Sequence, residues 1–212
     1  DDLLSLSPYK KIVGQVVAIL IIIYLRELRI DNMYGTLGVT ILPEFISTLF
    51  TVFVVIVITN AFNLIDGVDA LAPSIGIIAS IGFGCISLLM GQYDFAMLAF
   101  VLFGALLAFL RYNIHPASIF MGDTGSLVVG MILSILAINT ISQGVSLKNI
   151  SFLEKGPLLA IAFLSLPLFD SLRVFVSRLY NRKHPFSPAK DHIHHVLLNL
   201  GLNHNTTVLL LC

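Results

Sequence analysis

The stretch ILPEFISTLFTVFVVIVITNAFNLIDGVDALA, residues 41–72, joins a long apolar run to regularly spaced amides and carboxylates. A helix needs roughly 20 mainly apolar residues to cross about 30 Å of hydrocarbon, so the run at about 41–59 predicts a membrane-spanning helix. The whole chain has 57% hydrophobic and 11% charged residues, whereas soluble domains have roughly 25% charged residues. The composition therefore indicates an integral membrane protein and excludes a water-soluble globular domain.

Apolar runs of similar length recur along the chain. They cover about 12–30, 71–90, 94–111, 126–142 and 157–177, and another begins near 206. Helices are expected because backbone groups in lipid must pair within their own segment, and the sequence has no alternating barrel pattern. We therefore predict an all-α fold, a polytopic membrane helix bundle with six transmembrane helices plus the start of a seventh. We expect a single integral membrane domain over 1–212 that is an internal fragment of a longer protein.

The connecting segments divide between the two sides of the membrane. Six crossings place 1–11, 60–70, 112–125 and 178–205 on one side, which carries eight lysines and arginines against four on the other. The positive-inside rule makes that side cytoplasmic. The formal net charge of zero gives no indication of a nucleic-acid partner, and the two cysteines form neither a CxxC motif nor a disulfide framework.

Asn60, Asn63, Asp66 and Asp69 follow the quoted apolar run at a strict three-residue spacing. Side chains three apart share a helix face, but Gly67 weakens a helix, so we predict a helix end that runs into a loop. In that arrangement the amides and carboxylates converge on one ligand. The alternative is a polar connector between two membrane helices, because polar residues are normal in loops.

Two further motifs carry carboxylates. Asp1 and Asp2 suit a hard divalent cation or the activation of a phosphate, because Mg²⁺ prefers oxygen ligands; the alternative is a pair of solvated acids. Asp123 lies in the segment MGDTGS, residues 121–126, at the start of an apolar run. A helix N-terminus favours anions, so this segment predicts a phosphate cradle with Asp123 holding the cation. The alternative is that Asp123 or Thr124 caps the helix.

Histidines concentrate in the segment HPFSPAKDHIHH, residues 184–195. His192, His194 and His195, together with Lys190, are positive donors able to hold a diphosphate. One alternative is a zinc site, because imidazole is a good zinc ligand. The other alternative is a solvated histidine-rich loop.

Asp170 and Arg173 lie three residues apart inside the last long apolar run, close enough to pair on a helix. Charges at membrane depth usually face a partner or a cavity. A structural ion pair and a part of the catalytic apparatus are both open interpretations, and we place the two residues outside the core site.

Four motifs in this order resemble a known family. They are Asp1-Asp2 followed by Leu6-Ser7-Pro8, Asn-x-x-Asn-x-x-Asp-Gly-x-Asp at 60–69, MGDTGS at 121–126, and PFSP at 185–188 leading to HIHH at 192–195. Together they resemble the polyprenyl-phosphate N-acetylhexosamine-1-phosphate transferases, of glycosyltransferase family 4 type. The resemblance is greatest to the bacterial undecaprenyl-phosphate N-acetylglucosamine-1-phosphate branch. Ala70 departs from the usual glycine, Ser5 stands where some relatives carry a third acid, and Ala189-Lys190 replaces a common Asp-Arg pair.

The resemblance implies transfer of N-acetylglucosamine-1-phosphate, or a related N-acetylhexosamine-1-phosphate, from a UDP-sugar to undecaprenyl phosphate. UMP is released, and the product starts a cell-envelope polysaccharide such as teichoic acid or O-antigen. One alternative is the family branch that transfers phospho-N-acetylmuramoyl-pentapeptide. Two others are a membrane transporter with Asp170 and Arg173 lining its path, and a metal-binding scaffold without catalysis. The expected location is the inner or plasma membrane, with the active site facing the cytoplasm.

The resemblance also implies roles for individual residues. Mg²⁺, with Mn²⁺ as a substitute, is the expected cofactor, and Asp123 and Asp2 are its expected ligands. The expected catalytic residues are Asp1, Asp2, Asp66, Asp69 and Asp123, and the expected substrate-binding residues are Asn60, Asn63, Lys190, His192, His194 and His195. The expected partners are a UDP-N-acetylhexosamine, a polyprenyl phosphate lipid, the membrane and a second copy of the chain in a homodimer, without nucleic acid.

Overall fold

The protein is a bundle of α-helices. The computed structural model describes residues 7–34, 39–143, 156–182 and 192–212. Its helices are α1 (Pro8–Arg26), α2 (Glu44–Ile65), α3 (Leu71–Leu89), α4 (Tyr93–Asn113), α5 (Gly122–Ser142), α6 (Gly156–Phe163), α7 (Ser165–Tyr180), α8 (Ile193–Asn199) and α9 (His204–Leu211). Within the described ranges no β-strand occurs, apart from an isolated antiparallel bridge between Asn32 and Ile41. The predicted all-α class is therefore confirmed.

Four helices, α2 to α5, are long and apolar enough to cross a membrane. A fifth crossing results if α6 and α7 count as one bent span. The helices follow the apolar runs closely, as the run at 71–90 and the helix Leu71–Leu89 show. Among the described residues, six crossings and the start of a seventh are not confirmed, because α1 is not one of these spans and α9 has only 8 residues.

The last predicted crossing, at 157–177, is broken. α6 ends at Phe163 and α7 begins at Ser165, with an angle of 79° between the two helices. Pro167 explains the break, because proline has no N–H to donate and its ring clashes with the carbonyl four residues earlier, here that of Phe163. The prediction of one continuous helix across this run is therefore wrong.

α2 and α5 pack side by side in the bundle. Gly130 permits the close approach, because a Cβ at that position would lie 3.0 Å from both the Cα and the carbonyl oxygen of Thr59. The hydroxyl groups of Thr59 and Ser134 lie 3.3 Å apart across the same contact. Small residues of this kind let helix backbones approach closely in membranes. The packing holds the end of α2 beside the start of α5.

The central motif begins in a helix and ends in a loop, as predicted. α2 ends at Ile65, so Asn63 lies in its last turn and Asp66 follows the helix directly. Ala70 has a φ of 67°, in the left-handed region that glycine adopts most easily. Its N–H donates a hydrogen bond to Asn113 Oδ1 at 2.9 Å. This bond ties the loop to the end of α4.

Candidate active site

A cavity of about 250 Å³ opens where α2 ends and α5 begins. The end of α2, the loop behind it, the end of α4 and the start of α5 supply its lining. The lining residues are Asn63, Asp66, Gly67, Val68, Asp69, Asn113, Phe120, Met121, Gly122 and Asp123. The packing of α2 against α5 thus gathers four of the residues predicted from sequence to form the site, namely Asn63, Asp66, Asp69 and Asp123.

Asp123 lies in the first turn of α5. Its Oδ2 forms an ion pair with Lys11 Nζ, and its Oδ1 accepts a hydrogen bond from Asn63 Nδ2 at 3.2 Å. The N-cap residue of α5 is Met121, which makes no side-chain cap hydrogen bond, and Asp123 and Thr124 lie inside the helix, so the alternative in which Asp123 or Thr124 serves as an N-cap is wrong. These contacts of Asp123 join α5 to α1 and α2.

Lys11 is a neighbour of the site that the sequence analysis did not assign. It lies in the first turn of α1, and its side chain is 22% exposed. The pair with Asp123 places a positive charge beside a carboxylate that lines the cavity. The only signal in the sequence is the Lys10-Lys11 pair just before an apolar run, and that signal alone does not distinguish the two lysines.

Burial and the neighbouring carboxylates both change the pKa of Asp66. Burial disfavours its charged form, and the negative charges of Asp123 and Asp69 add to that effect, so the pKa of Asp66 rises from 3.8 to about 7. The cavity therefore carries negative charge that a bound cation would offset. Carboxylate oxygens are the ligands that Mg²⁺ prefers, so the residues present fit such an ion.

Asn63 and Asn60 have different surroundings. Asn63 donates to Ser126 Oγ at 2.7 Å as well as to Asp123, so it links α2 to the first turns of α5. Asn60 donates to Gln15 Oε1 at 3.0 Å and is not part of the cavity lining. The amide of Asn60 therefore holds α1 against α2, a role that the sequence prediction of substrate binding did not include.

Asp69 faces the loop between α4 and α5. Its Oδ2 accepts a hydrogen bond from His115 Nδ1 at 2.7 Å and lies 3.7 Å from His204 Nδ1. Asn113 and Phe120 line the cavity as well. The sequence analysis assigned no role to these last four residues, although three of them lie in the few positions that precede the MGDTGS segment.

Asp170 holds the first histidine of the HIHH segment. Its Oδ2 accepts from His192 Nδ1 at 2.8 Å, and its Oδ1 accepts from the backbone N–H of Ile193 at 2.9 Å. The predicted pair with Arg173 is also present, at 3.0 Å. Asp170 therefore positions His192, which the sequence analysis assigned to substrate binding. The sequence analysis placed Asp170 outside the core site and did not predict this contact.

The remaining predicted site residues are described only in part or not at all. His194 and His195 lie in the short helix α8. Asp1, Asp2 and Lys190 lie outside the described residues. The roles assigned to these five residues stay predictions.

Comparison with known families identifies the family to which the chain belongs. The profile described as "Glycosyl transferase family 4" matches residues 1–141, a range that includes the Asp1-Asp2 pair, the central motif and Asp123. The chain belongs to glycosyl transferase family 4. Family membership and the long apolar helices together make it a multi-pass membrane protein.

Curated relatives in this family have names that describe phospho-sugar transfer. The "Probable undecaprenyl-phosphate N-acetylglucosaminyl 1-phosphate transferase" of Bacillus subtilis (strain 168) is 38% identical over 76% of this chain and 43% of its own length. The "Decaprenyl-phosphate N-acetylglucosaminephosphotransferase" of Mycolicibacterium smegmatis is 33% identical over 100% of this chain and 55% of its own length. The "Phospho-N-acetylmuramoyl-pentapeptide-transferase" of Rubrobacter xylanophilus is 38% identical over 71% of this chain and 42% of its own length. The chain spans about half the length of the curated relatives it matches.

Proposed function

We propose that the whole protein transfers N-acetylglucosamine-1-phosphate from UDP-N-acetylglucosamine to undecaprenyl phosphate or a related polyprenyl phosphate, with release of UMP. The main support for this proposal is the cavity that Asp66, Asp69 and Asp123 line together. Phosphoryl transfer depends mainly on positioning and on neutralisation of charge, and a cluster of carboxylates provides a place for the neutralising cation. Family membership and the names of the Bacillus and Mycolicibacterium relatives support the same reaction.

Transfer of phospho-N-acetylmuramoyl-pentapeptide is the second candidate function. The Rubrobacter relative carries that name and matches 71% of the chain. The mycobacterial relatives that match the full chain are instead named decaprenyl-phosphate N-acetylglucosaminephosphotransferases. N-acetylglucosamine-1-phosphate is therefore the proposed transferred group, and its product would start a cell-envelope polysaccharide.

Mg²⁺ is the proposed cofactor, with Mn²⁺ as a substitute. Asp123 would hold the ion together with Asp2, which lies outside the described residues. When bound, the ion supplies positive charge to the diphosphate oxygens of the donor. Asn63 orients Asp123 through its hydrogen bond at 3.2 Å. Burial, together with the charges of Asp123 and Asp69, raises the pKa of Asp66 to about 7, so that Asp66 can exchange a proton near neutral pH.

Lys11 and Phe120 complete the proposed site from this chain. The ammonium of Lys11 is held at Asp123, where it can donate to a phosphate oxygen of the acceptor and offset the repulsion between the acceptor phosphate and the donor diphosphate. Phe120 lines the cavity and is 76% exposed, so its ring offers a face on which the base of the nucleotide can stack.

The lipid acceptor is proposed to reach the cavity along an apolar groove. One groove of about 480 Å³ lies between α4 and α5 and shares Met121 with the cavity. Another, of about 410 Å³, lies between α2, α6 and α7. Val128→Trp obstructs the first groove and Ile161→Trp the second. The substitution that raises the KM for the lipid without changing the KM for the nucleotide identifies the path.

The cavity is proposed to face the cytoplasm. The proposed topology has six crossings in this region, and the proposed assembly is a homodimer. The excess of lysine and arginine on the cavity side supports this orientation. Leu64 is 45% exposed and suits labelling. With native cysteines removed, Leu64→Cys and Lys190→Cys should react with an impermeant reagent from the same side. Labelling from opposite sides would contradict the orientation.

The transfer reaction is tested with the full-length protein, radiolabelled UDP-N-acetylglucosamine, Mg²⁺ and polyprenyl phosphate. The expected result is label in an organic-extractable product, together with release of UMP and loss of both in EDTA. Product only with UDP-N-acetylmuramoyl-pentapeptide as donor would support the second candidate. Uptake into vesicles without a lipid product would support a transporter and overturn the proposal.

A further inference from the structure

Three side chains of types that bind metals lie close together at the rim of the cavity. The proposed reaction does not require these three side chains to be in contact. Asp69 follows α2, His115 lies in the loop between α4 and α5, and His204 is the first residue of α9. One ligand atom from each lies within 4.8 Å of the others. Residues far apart in sequence, on three separate elements, thus present two imidazoles and a carboxylate to one point.

The distances suit a transition-metal dication. Zn²⁺ binds imidazole nitrogen at about 2.0–2.1 Å and carboxylate oxygen at about 2.0–2.2 Å in tetrahedral geometry, which separates neighbouring ligand atoms by roughly 3.3–3.5 Å. The observed distances from Asp69 Oδ2 to the Nδ1 atoms of His115 and His204 are 2.7 Å and 3.7 Å. These two distances lie on either side of that separation, and no two of the three ligand atoms are more than 4.8 Å apart.

His204 supplies an independent observation that indicates a ligand. Its Nδ1 atom is buried and has no hydrogen-bond partner among the described residues, and 3.7 Å from Asp69 is too long for a hydrogen bond. A buried polar atom without a partner is costly and uncommon in folded proteins. A metal ion between His204 and Asp69 would satisfy this atom.

Hydrogen bonding and ring stacking are the competing explanation of the cluster. The bond from His115 to Asp69 and the stack of the two imidazoles, 4.4 Å between centroids and 22° between planes, account for His115. They leave Nδ1 of His204 unsatisfied. Because a metal lies in the plane of each imidazole that binds it, coordination requires the rings to turn out of the stack. The side chain of His115 is 44% exposed and is able to turn, because the last torsion of histidine is broad.

We propose that Asp69, His115 and His204 bind a transition-metal dication of the Zn²⁺ class, at a site distinct from the Mg²⁺ site proposed at Asp123. Nitrogen ligands select such ions over Mg²⁺, which prefers oxygen. The bound ion would join the loop after α2, the loop before α5 and the start of α9. Metal binding is measured without substrates, so its result does not depend on whether the proposed transferase reaction occurs.

The test uses the full-length protein without a histidine tag, purified in EDTA and then freed of it. Co²⁺ serves as the spectroscopic probe, because its visible absorption reports nitrogen coordination, and Zn²⁺ uptake is measured by equilibrium dialysis. The expected result is a Co²⁺ signal that Zn²⁺ displaces and that about a hundredfold excess of Mg²⁺ leaves in place. Loss of a residue that only hydrogen-bonds to a metal ligand lowers metal affinity about 10–100-fold. Loss of a ligand should cost at least as much, so His115→Ala and His204→Ala should each lower the Co²⁺ affinity at least tenfold.

Two control variants make the result specific to this cluster. His192→Ala removes a histidine bound to Asp170, and Asp123→Asn alters the proposed Mg²⁺ site; both should keep the Co²⁺ signal. His115 is an exposed loop residue, so its removal should lower the metal-free Tm only slightly, through loss of the hydrogen bond to Asp69. Full Co²⁺ affinity in both His115→Ala and His204→Ala, or loss of the signal in His192→Ala or Asp123→Asn, would overturn the proposal.

Discussion

Asp170 Oδ2 accepts a hydrogen bond from His192 Nδ1 at 2.8 Å, and this contact fixes the start of α8 on α7. Asp170 also accepts from the backbone N–H of Ile193 at 2.9 Å and pairs with Arg173 at 3.0 Å. The side chain of Asp170 is 1% exposed and that of His192 is 6% exposed, so these two groups have little access to water as a replacement. The carboxylate thereby positions the histidine segment relative to the bundle.

Asp170→Ala should reduce transfer at least about tenfold, because His192 loses its acceptor and an unsatisfied buried polar group costs roughly 1–3 kcal/mol. A double-mutant cycle with His192→Ala separates positioning from general destabilisation, since residues that act together give non-additive losses. If Asp170 acts through His192, the double variant transfers as fast as His192→Ala alone. Full additivity of the two losses would show that the two residues act independently.

Asp66 should make the stability of the metal-free protein depend on pH. Its folded pKa of about 7 lies above the ordinary value of 3.8, so the folded protein keeps a proton that the unfolded chain releases between those values. The stabilisation is fully present below about pH 4 and is lost as the pH rises through about 7. Asp66→Asn removes this dependence. In EDTA, the thermal stability of the wild type relative to the variant should fall from pH 4 to 8, and a constant difference would contradict the assignment.

Gly130 should be required for the packing of α2 on α5. Gly130→Ala places a Cβ 3.0 Å from backbone atoms of Thr59, and overpacking of this kind typically costs about 1–3 kcal/mol. We expect a lower Tm and slower transfer, because the same contact sets Asn63 against Asp123. The matched control is Gly104→Ala in α4, where a Cβ meets nothing within 4 Å and the Tm should stay the same or rise. Equal effects of the two substitutions would refute the argument.

Lys11 should compete with a cation for Asp123 and yet assist transfer. Lys11→Gln removes the ammonium that pairs with Asp123, so Mg²⁺ affinity measured without substrates should rise. Transfer at saturating Mg²⁺ should nevertheless fall at least about tenfold, because the acceptor phosphate loses a positive donor. Lys10→Gln is the control, since Lys10 is exposed. The account fails if both variants behave alike.

The sequence was sufficient to predict the long helices and the arrangement of the central motif. Apolar runs of membrane length matched α2 to α5, because length and hydropathy are local properties. The apolar run at 157–177 predicts one helix, whereas the structure breaks it between α6 and α7. Pro167 is the local signal for this break, because a proline in a helical pattern ends or kinks the helix before it.

Contacts between distant residues were beyond sequence reasoning. The pattern placed Asn60 and Asn63 on one helix face, but the structure directs Asn60 to Gln15 and Asn63 to Asp123. Three-residue steps drift around a helix, so the face changes along the motif. Likewise, 22 positions separate Asp170 from His192, and no local spacing predicts their bond.

Mg²⁺-dependent transfer by the full-length Asp123→Asn enzyme tests the central claim most directly. The substitution keeps the size of the side chain and an oxygen atom but removes the charge at the cavity. The control is Asp94→Asn, since the Asp94 side chain is 81% exposed and lies in the first turn of α4. We predict that Asp123→Asn lowers transfer at least about 100-fold, the scale seen when one transition-state stabiliser is lost, while Asp94→Asn changes it little. Near-normal turnover of Asp123→Asn at saturating Mg²⁺ would contradict the account.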